Sequence, residues 1–544
     1  MAIELNNNKK RVLVVFLSII CAFLVITATL VKIAIVGDKA KINRKYSNPH
    51  PERRGKIFDR NGTLLASDLK INSLYINTIL LKNPEEELAK LYNVLPDINT
   101  PDLLKKINDT KKAKNWILIK RNLTPLQVAK VNNLNIASFV FEDSLTRVYP
   151  QREVVSHIIG YVDVDRNGLA GMEMANNDLL SDYDNNLNLS IDIRVQDIVY
   201  NELKEALIKY RAKANSAIVM NIHNGEIIAA VSLPSFDANL QKEATADQRF
   251  NRVATSAYEL GSIFKIFTNA IAFDRNIIKK TDVYNVSQPV KYGRFTINDD
   301  HYYQDRMTVE EVFAYSSNIG TMQIAKKIGI ETQKEYLKNL NLLDKLEVDF
   351  PGLTRPIYSK VWREINMLTI SYGHGIAVTP LHMASAFAAV VNGGIYHQPS
   401  FLKIDSDNQL NSQQVPNKSR VGHRVFKEKT SKEMLDMLRK VVVYGTGRNA
   451  NIEGYEVGGK TGTANRAEKG GYNEKSTVAS FIATFPVSNP QYLVLAVFDR
   501  PNYIFNTGGM VAAPVVGNII KNIAPILGVK PNIKATNISS NKTN

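Results

Sequence analysis

Four serines in this chain stand three residues before a lysine: Ser67/Lys70, Ser262/Lys265, Ser400/Lys403 and Ser539/Lys542. On a helix, residues three apart share a face, so such a lysine can reach the hydroxyl and take its proton. A serine becomes nucleophilic this way without histidine, which is the logic of Ser-x-x-Lys. Context singles out Ser262. Ser539 falls in a polar tail, Ser67 in a polar segment near the N-terminal apolar run, and Ser400 just beyond a Gly-Gly turn. Ser262 instead opens a largely apolar stretch, Ile263 to Phe273, which reads as a buried helix with the serine at its N-terminal end. Burial lowers a lysine pKa, and a helix N-terminus favours negative charge near the serine.

Two further triplets fit beside it. In Ser316-Ser317-Asn318 a second hydroxyl can relay protons, and an Asn amide can hold a substrate carbonyl. Ser406-Asp407-Asn408 has the same pattern but lies in the polar loop Asp405 to Lys418, too close to its nearest Ser-x-x-Lys. Lys460-Thr461-Gly462 occurs once, after Gly458-Gly459 and before Thr463. Glycines on a strand let substrate approach the backbone, and the hydroxyls and cation suit a carboxylate. Each triplet alone reads as surface polarity. The three in this order, on a helix start, a loop and a strand, read as one site.

The elements that must position them are visible too. Thr477 to Phe485 and Tyr492 to Phe498 are strand-like apolar runs, as in an antiparallel sheet. Ser216 to Ser232 holds Asn224-Gly225 between apolar strands, a hairpin signal. Thr379 can cap a helix with Pro380 at its first position, ending near Gly393-Gly394.

Lys9, Lys10 and Arg11 precede an apolar stretch from Val12 to Val31. Twenty helical residues rise about 30 Å, the thickness of a bilayer's hydrocarbon core. A retained signal-anchor is expected, since no small-x-small cleavage site follows. The basic cluster from Lys39 to Arg60 exceeds the one before the stretch, so loop charge does not set the topology. The single cysteine, Cys21, lies inside this stretch, which excludes a disulfide framework or a Cys-ligated metal site downstream. A chain of 544 residues implies two or more domains. The net charge of +16 is spread among acidic residues without a nucleic-acid-binding pattern, and suits anionic lipid or cell-wall polymer. No cofactor and no metal are implied: the eight histidines are scattered, and His374 reads as structural. Gly445-Thr446-Gly447 lacks the setting of a phosphate loop.

With these motifs the chain resembles the class B penicillin-binding proteins of the division-specific, FtsI-like type. The resemblance covers most of residues 1–525. Arg53-Arg54-Gly55-Lys56-Ile57-Phe58-Asp59-Arg60-Asn61-Gly62 is similar to the class B signature outside the membrane. Tyr149-Pro150, Gly160-Tyr161-Val162 and Gly168 to Glu173 resemble the end of the family's pedestal domain. Tyr258-Glu259-Leu260-Gly261 precedes the nucleophile, with Leu260 where many relatives have proline. Tyr372 to Leu381 resembles the division type, and Asn318 replaces the Asp common in elongation-type relatives. No glycosyltransferase module lies between the anchor and Ser190.

The resemblance implies an α/β (α+β) protein with an N-terminal transmembrane helix, an elongated pedestal and a transpeptidase domain whose antiparallel sheet is flanked by helices. The expected division is a cytoplasmic tail (1–11), anchor (12–36), pedestal (37–185), transpeptidase domain (186–528) and polar tail (529–544). The implied reaction is peptidoglycan D,D-transpeptidation in septal wall synthesis, on the outer, periplasmic face of the inner membrane, with β-lactams as covalent inhibitors. The resemblance gives Ser262 as nucleophile, Lys265 as base, Ser316 as relay, Asn318 on the donor amide, and Lys460 depressing the Lys265 pKa. It places Thr461 and Thr463, flanking Gly462, on the substrate carboxylate, and the oxyanion hole at the Ser262 and Thr463 N–H groups. Implied partners are stem peptides, a polytopic glycosyltransferase and other divisome proteins. Alternatives are an elongation-type transpeptidase, a β-lactamase or β-lactam sensor, and a non-catalytic scaffold.

Overall fold

The computed structural model describes residues 16–17, 19–27, 53–110, 116–293, 295–404, 422–468, 471–502, 504 and 506–532. The contacts divide the chain into two units: residues 1–53 with 70–146, and residues 54–69 with 147–544.

In the first unit, strand β1 (Leu64–Asn77), which begins in the other unit, pairs with β2 (Trp116–Leu123) and β3 (Phe139–Val148). Helices α1 (Pro84–Val94), α2 (Thr100–Thr110) and α3 (Pro125–Asn132) pack on them. Leu88, Leu91 and Leu95 recur at helical spacing and bury with Leu103, Ile107, Leu74 and Ile76 in a core of this unit's own. Thr124 caps α3 through a box with Gln127, with Pro125 at the first position.

The described part of the expected anchor, 16–17 and 19–27, is helical with exposed apolar side chains, Phe23 at 71%. Among the described residues no helix is long and apolar enough to cross a membrane. The rest of 12–36, the decoys at Ser406 and Ser539, and the tail after residue 532 lie outside the described residues.

The second unit is built on a five-stranded antiparallel sheet. Helix α4 (Ile193–Lys209) leads into β4 (Ala214–Asn221) and β5 (Ile227–Leu233), the expected hairpin, with Gly225 at φ +82° in its turn. There follow α5 (Lys265–Asp274), α6 (Asn318–Ile328), α7 (Pro380–Val391) and α8 (Glu428–Val443). Strands β6 (Gly458–Glu468), β7 (Gly471–Phe485) and β8 (Tyr492–Asp499) come next, then α9 (Ala512–Ile523). The sheet order is β6-β7-β8-β4-β5.

Both sheet faces are buried. Ile218, Met220, Ile482 and Leu495 join a core with residues of α5, α7 and α8. Their neighbours Ala217, Val219, Phe481 and Ala496 join one with residues of α4 and α9. Strands covered on two faces carry nearly continuous apolar runs, as 492–498 does without a break and 478–485 does save for Ser480 and Thr484. Thr379 caps α7 as expected, accepting from the His382 N–H, and the helix ends at Val391 with Asn392 as its C-cap.

Segments 54–69 and 147–185, expected in the pedestal, cluster with the C-terminal unit. Ile57, Leu65, Tyr149, Ile158 and Met172 share one core with Ile218 and Ile227. A buried ionic cluster ties the two segments to each other. Glu173 accepts from Arg54 Nε at 2.6 Å and Arg147 Nε at 2.7 Å, and Arg147 reaches Asp68 at 3.2 Å.

Candidate active site

Ser262 lies in a 3₁₀ turn (Gly261–Phe264) that runs directly into α5, rather than in the α-helix itself. It is half-buried and lines a cavity of about 520 Å³ with Ser316, Ser317, Thr461 and Thr463. Lys265, first residue of α5, is fully buried. Its ammonium donates to the Ser316 carbonyl, to Asn318 Oδ1 at 2.7 Å and to Ser316 Oγ at 3.2 Å. Lys460, equally buried on β6, donates to the same Ser316 Oγ at 2.9 Å and to the Thr461 carbonyl at 3.2 Å. One hydroxyl therefore sits between two lysines from distant parts of the chain.

Burial of this pair is costly to charge. It brings Lys265 down to about 8, although Asp300 and Asp299 pull the other way. Burial lowers Lys460 well below its usual value, and the Lys265 charge lowers it further. The two ammonium groups share the Ser316 hydroxyl, so each disfavours the other's charge. His374, read as structural, is lowered by burial and then by the Lys265 charge, so it faces the same group.

The strand and the nucleophile turn meet backbone to backbone. Gly261 has φ +54°, and a Cβ there would stand 2.3 Å from the Thr463 carbonyl oxygen. A Cβ on Gly462 would stand 2.2 Å from the Leu260 carbonyl oxygen. Thr463 Oγ1 accepts from the Gly508 N–H at 3.1 Å, and Thr461 Oγ1 is 2.7 Å from Thr446 Oγ1. All eight residues singled out in the sequence, Ser262, Lys265, Ser316, Asn318, Lys460, Thr461, Gly462 and Thr463, come together here. Asn318 is already engaged at both ends, since its Nδ2 donates to the Asn298 carbonyl at 3.0 Å. Of the decoys, Ser400 donates to Asp349 at 2.8 Å, and Lys70 pairs with Asp143 at 2.7 Å.

Sequence reasoning missed the rest of the wall. Tyr303 stacks on Tyr315 with centroids 4.5 Å apart, and Tyr315 lies 5.9 Å from Tyr444. Asp299, Asp300, Thr446 and Arg448 complete that side. The only sequence signal was the acidic-aromatic run Asp299-Asp300-His301-Tyr302-Tyr303 shortly before Ser316. Chemically, the arrangement offers an accessible hydroxyl, a neighbouring amine able to be neutral near pH 8, and a second hydroxyl wired to both amines. Those are the parts of a serine acyl-transfer site without histidine.

Comparison with known proteins agrees. The penicillin binding protein transpeptidase domain matches residues 215–521, and the penicillin-binding protein dimerisation domain matches residues 49–188. "Probable peptidoglycan D,D-transpeptidase FtsI" of Caulobacter vibrioides is 36% identical over 509 residues, 90% of this chain and 84% of that protein. "Probable peptidoglycan D,D-transpeptidase PenA" of Neisseria meningitidis is 30% identical over 513 residues, 88% of this chain and 86% of that protein. The crystal structure of penicillin binding protein 3 from Mycobacterium tuberculosis, complexed with aztreonam, shares the fold, with a TM-score of 0.69 at 22% identity. That alignment covers 89% of this chain and 98% of that one. The chain belongs to the penicillin-binding protein family, and carries the dimerisation and transpeptidase domains of its class B members.

Proposed function

We propose that the protein is a peptidoglycan D,D-transpeptidase acting in septal wall synthesis, through an acyl-enzyme on Ser262. The observation that carries this reading is the Ser316 hydroxyl bonded to both buried lysines at the cavity that holds Ser262. Ser262 Oγ attacks the penultimate D-Ala carbonyl of a stem peptide while neutral Lys265 takes its proton. The proton passes through Ser316 to the leaving D-Ala amine. An amine of a second stem then attacks the ester and frees Ser262. The N–H groups of Ser262 and Thr463 stabilise the oxyanion, where losing one donor costs about 10²–10³ in rate. Thr461 and Thr463, beside Lys460, hold the terminal carboxylate, and Asn318 Oδ1 holds Lys265.

Residues 12–36 serve as a single-pass anchor in the inner membrane, with the pedestal (37–185) and transpeptidase domain (186–528) on the periplasmic side. The exposed apolar side chains at Phe16, Leu17, Phe23 and Leu24 support that placement. A polytopic glycosyltransferase and other divisome proteins are the proposed partners, and β-lactams the covalent inhibitors, the latter in keeping with the aztreonam complex of the Mycobacterium structure.

Covalent labelling of the full-length protein by a fluorescent penicillin, beside Ser262→Ala, tests the reading. A stable label on the wild type and none on the variant is expected. Rapid loss of label with destruction of the drug would point to a β-lactamase, and a folded wild type that takes no label would sink the catalytic reading.

A further inference from the structure

Ser316 has φ +67°, a left-handed backbone that a non-glycine residue holds at a cost of about 1–3 kcal/mol unless its surroundings fix it. What fixes it comes from the loop 17 residues earlier. Asp299 Oδ2 accepts the Ser317 hydroxyl at 2.6 Å, and Oδ1 accepts the N–H groups of Asn318 at 2.5 Å and Ile319 at 2.9 Å. The neighbouring Asn298 carbonyl accepts Asn318 Nδ2 at 3.0 Å. Ser317 Oγ in turn accepts the Gly320 N–H at 3.0 Å and so caps α6. The carboxylate thus closes the start of α6 at the point where the chain leaves Ser316.

The same loop carries the negative charge opposite the lysines. The charged groups that face Lys265 are Lys460 from β6, Asp299 and Asp300 from the loop, and His374 from the segment before α7. Nothing else in the described wall opposes two buried amines with negative charge.

We propose that Asp299 is the positioning residue of this site: its carboxylate clamps Ser317 to Ile319 so that the Ser316 hydroxyl stays between Lys265 and Lys460, and with Asp300 it supplies the counter-charge to Lys265. The inference rests on the transpeptidase reading and deepens it. The position and the charge separate by substitution. Asp299→Asn keeps an oxygen for the two N–H groups and a polar atom for Ser317, but loses the charge. Asp299→Ala loses both. Asp300→Asn loses charge without touching the clamp.

The experiment is penicillin acylation of the full-length protein across pH 5–10, for the wild type and these three variants, with thermal unfolding run beside it. Asp299→Ala is expected to acylate about 10²-fold more slowly, the order of loss from a misplacement near 1 Å. Asp299→Asn recovers much of that rate. In both Asp299→Asn and Asp300→Asn, removing an anion favours neutral Lys265, so the acid limb of the profile moves to lower pH. A structural cap alone would shift the unfolding midpoint and leave that limb in place. Wild-type acylation with an unmoved limb in the Asn variants, or an Asp299→Ala variant as fast as wild type, overturns the inference alone. A folded wild type that takes no label overturns the transpeptidase reading and this inference together.

Discussion

Lys265 carries the tension of the site in one side chain. A buried amine resists charge, yet the three acceptors around it, Ser316 O, Ser316 Oγ and Asn318 Oδ1, welcome an ammonium. The balance falls near 8. Only the neutral form can accept the Ser262 proton, so acylation should rise as pH increases toward about 8 and fall as pH drops below it. Lys265→Arg, which keeps the charge and cannot deprotonate, should lower acylation by about 10²–10⁴. Stopped-flow labelling over a pH series measures both. The groups with motif spacing, Ser262, Lys265, Ser316 and Lys460, were legible in the sequence because their chemistry requires those residue types. Asp299 was not, since a carboxylate that binds backbone N–H groups leaves no pattern in the residues it holds. Nor were Tyr303, Tyr315 and Tyr444, whose stacking depends on three remote backbone segments.

At the level of elements, the site depends on how closely β6 meets the 3₁₀ turn. Gly261 and Gly462 leave room for no Cβ on either side, and each faces a backbone oxygen that cannot swing away. Gly462→Ala should therefore part the strand from the nucleophile and cut acylation by about 10²-fold, with far less effect on the unfolding midpoint. Penicillin labelling and a thermal scan on the same sample distinguish the two effects; equal acylation with a lowered midpoint would refute the argument. The α7 cap, the Asn224-Gly225 hairpin and strands β7 and β8 were readable because turn chemistry and apolar runs are local. The 3₁₀ geometry at Ser262 was not, because a run buried on all sides from Ile263 to Ala272 has no periodicity from which to tell one helix from another.

For the molecule as a whole, the family motifs showed two domains, while the contacts cut the chain elsewhere. Segments 54–69 and 147–185 join the C-terminal unit through Ile57 and Tyr149, and the Arg54–Glu173–Arg147–Asp68 cluster ties the two segments to each other. Sequence order hides this, because the partners lie about a hundred residues apart. Glu173→Gln leaves two buried guanidinium groups short of a counter-charge and should cost about 3–5 kcal/mol, read by urea unfolding of the full-length protein. The same division makes residues 70–146 an insertion in the genetic sense. The chain leaves the C-terminal unit along β1 and returns along β3, paired strands joined by Asn77–Ser138 and Ser73–Ser144 within the first unit and by Asp68–Arg147 within the second. The two cut ends thus lie on neighbouring strands running in opposite directions, the geometry that a two-residue Asn-Gly turn joins. Excising 70–146 with such a splice should leave a shortened protein that folds and still takes the penicillin label; failure to fold would show that the insertion is a structural part of its host. If the splice succeeds, the 70–146 lobe is a cassette that evolution can exchange or enlarge between relatives while the acylating machinery descends unchanged.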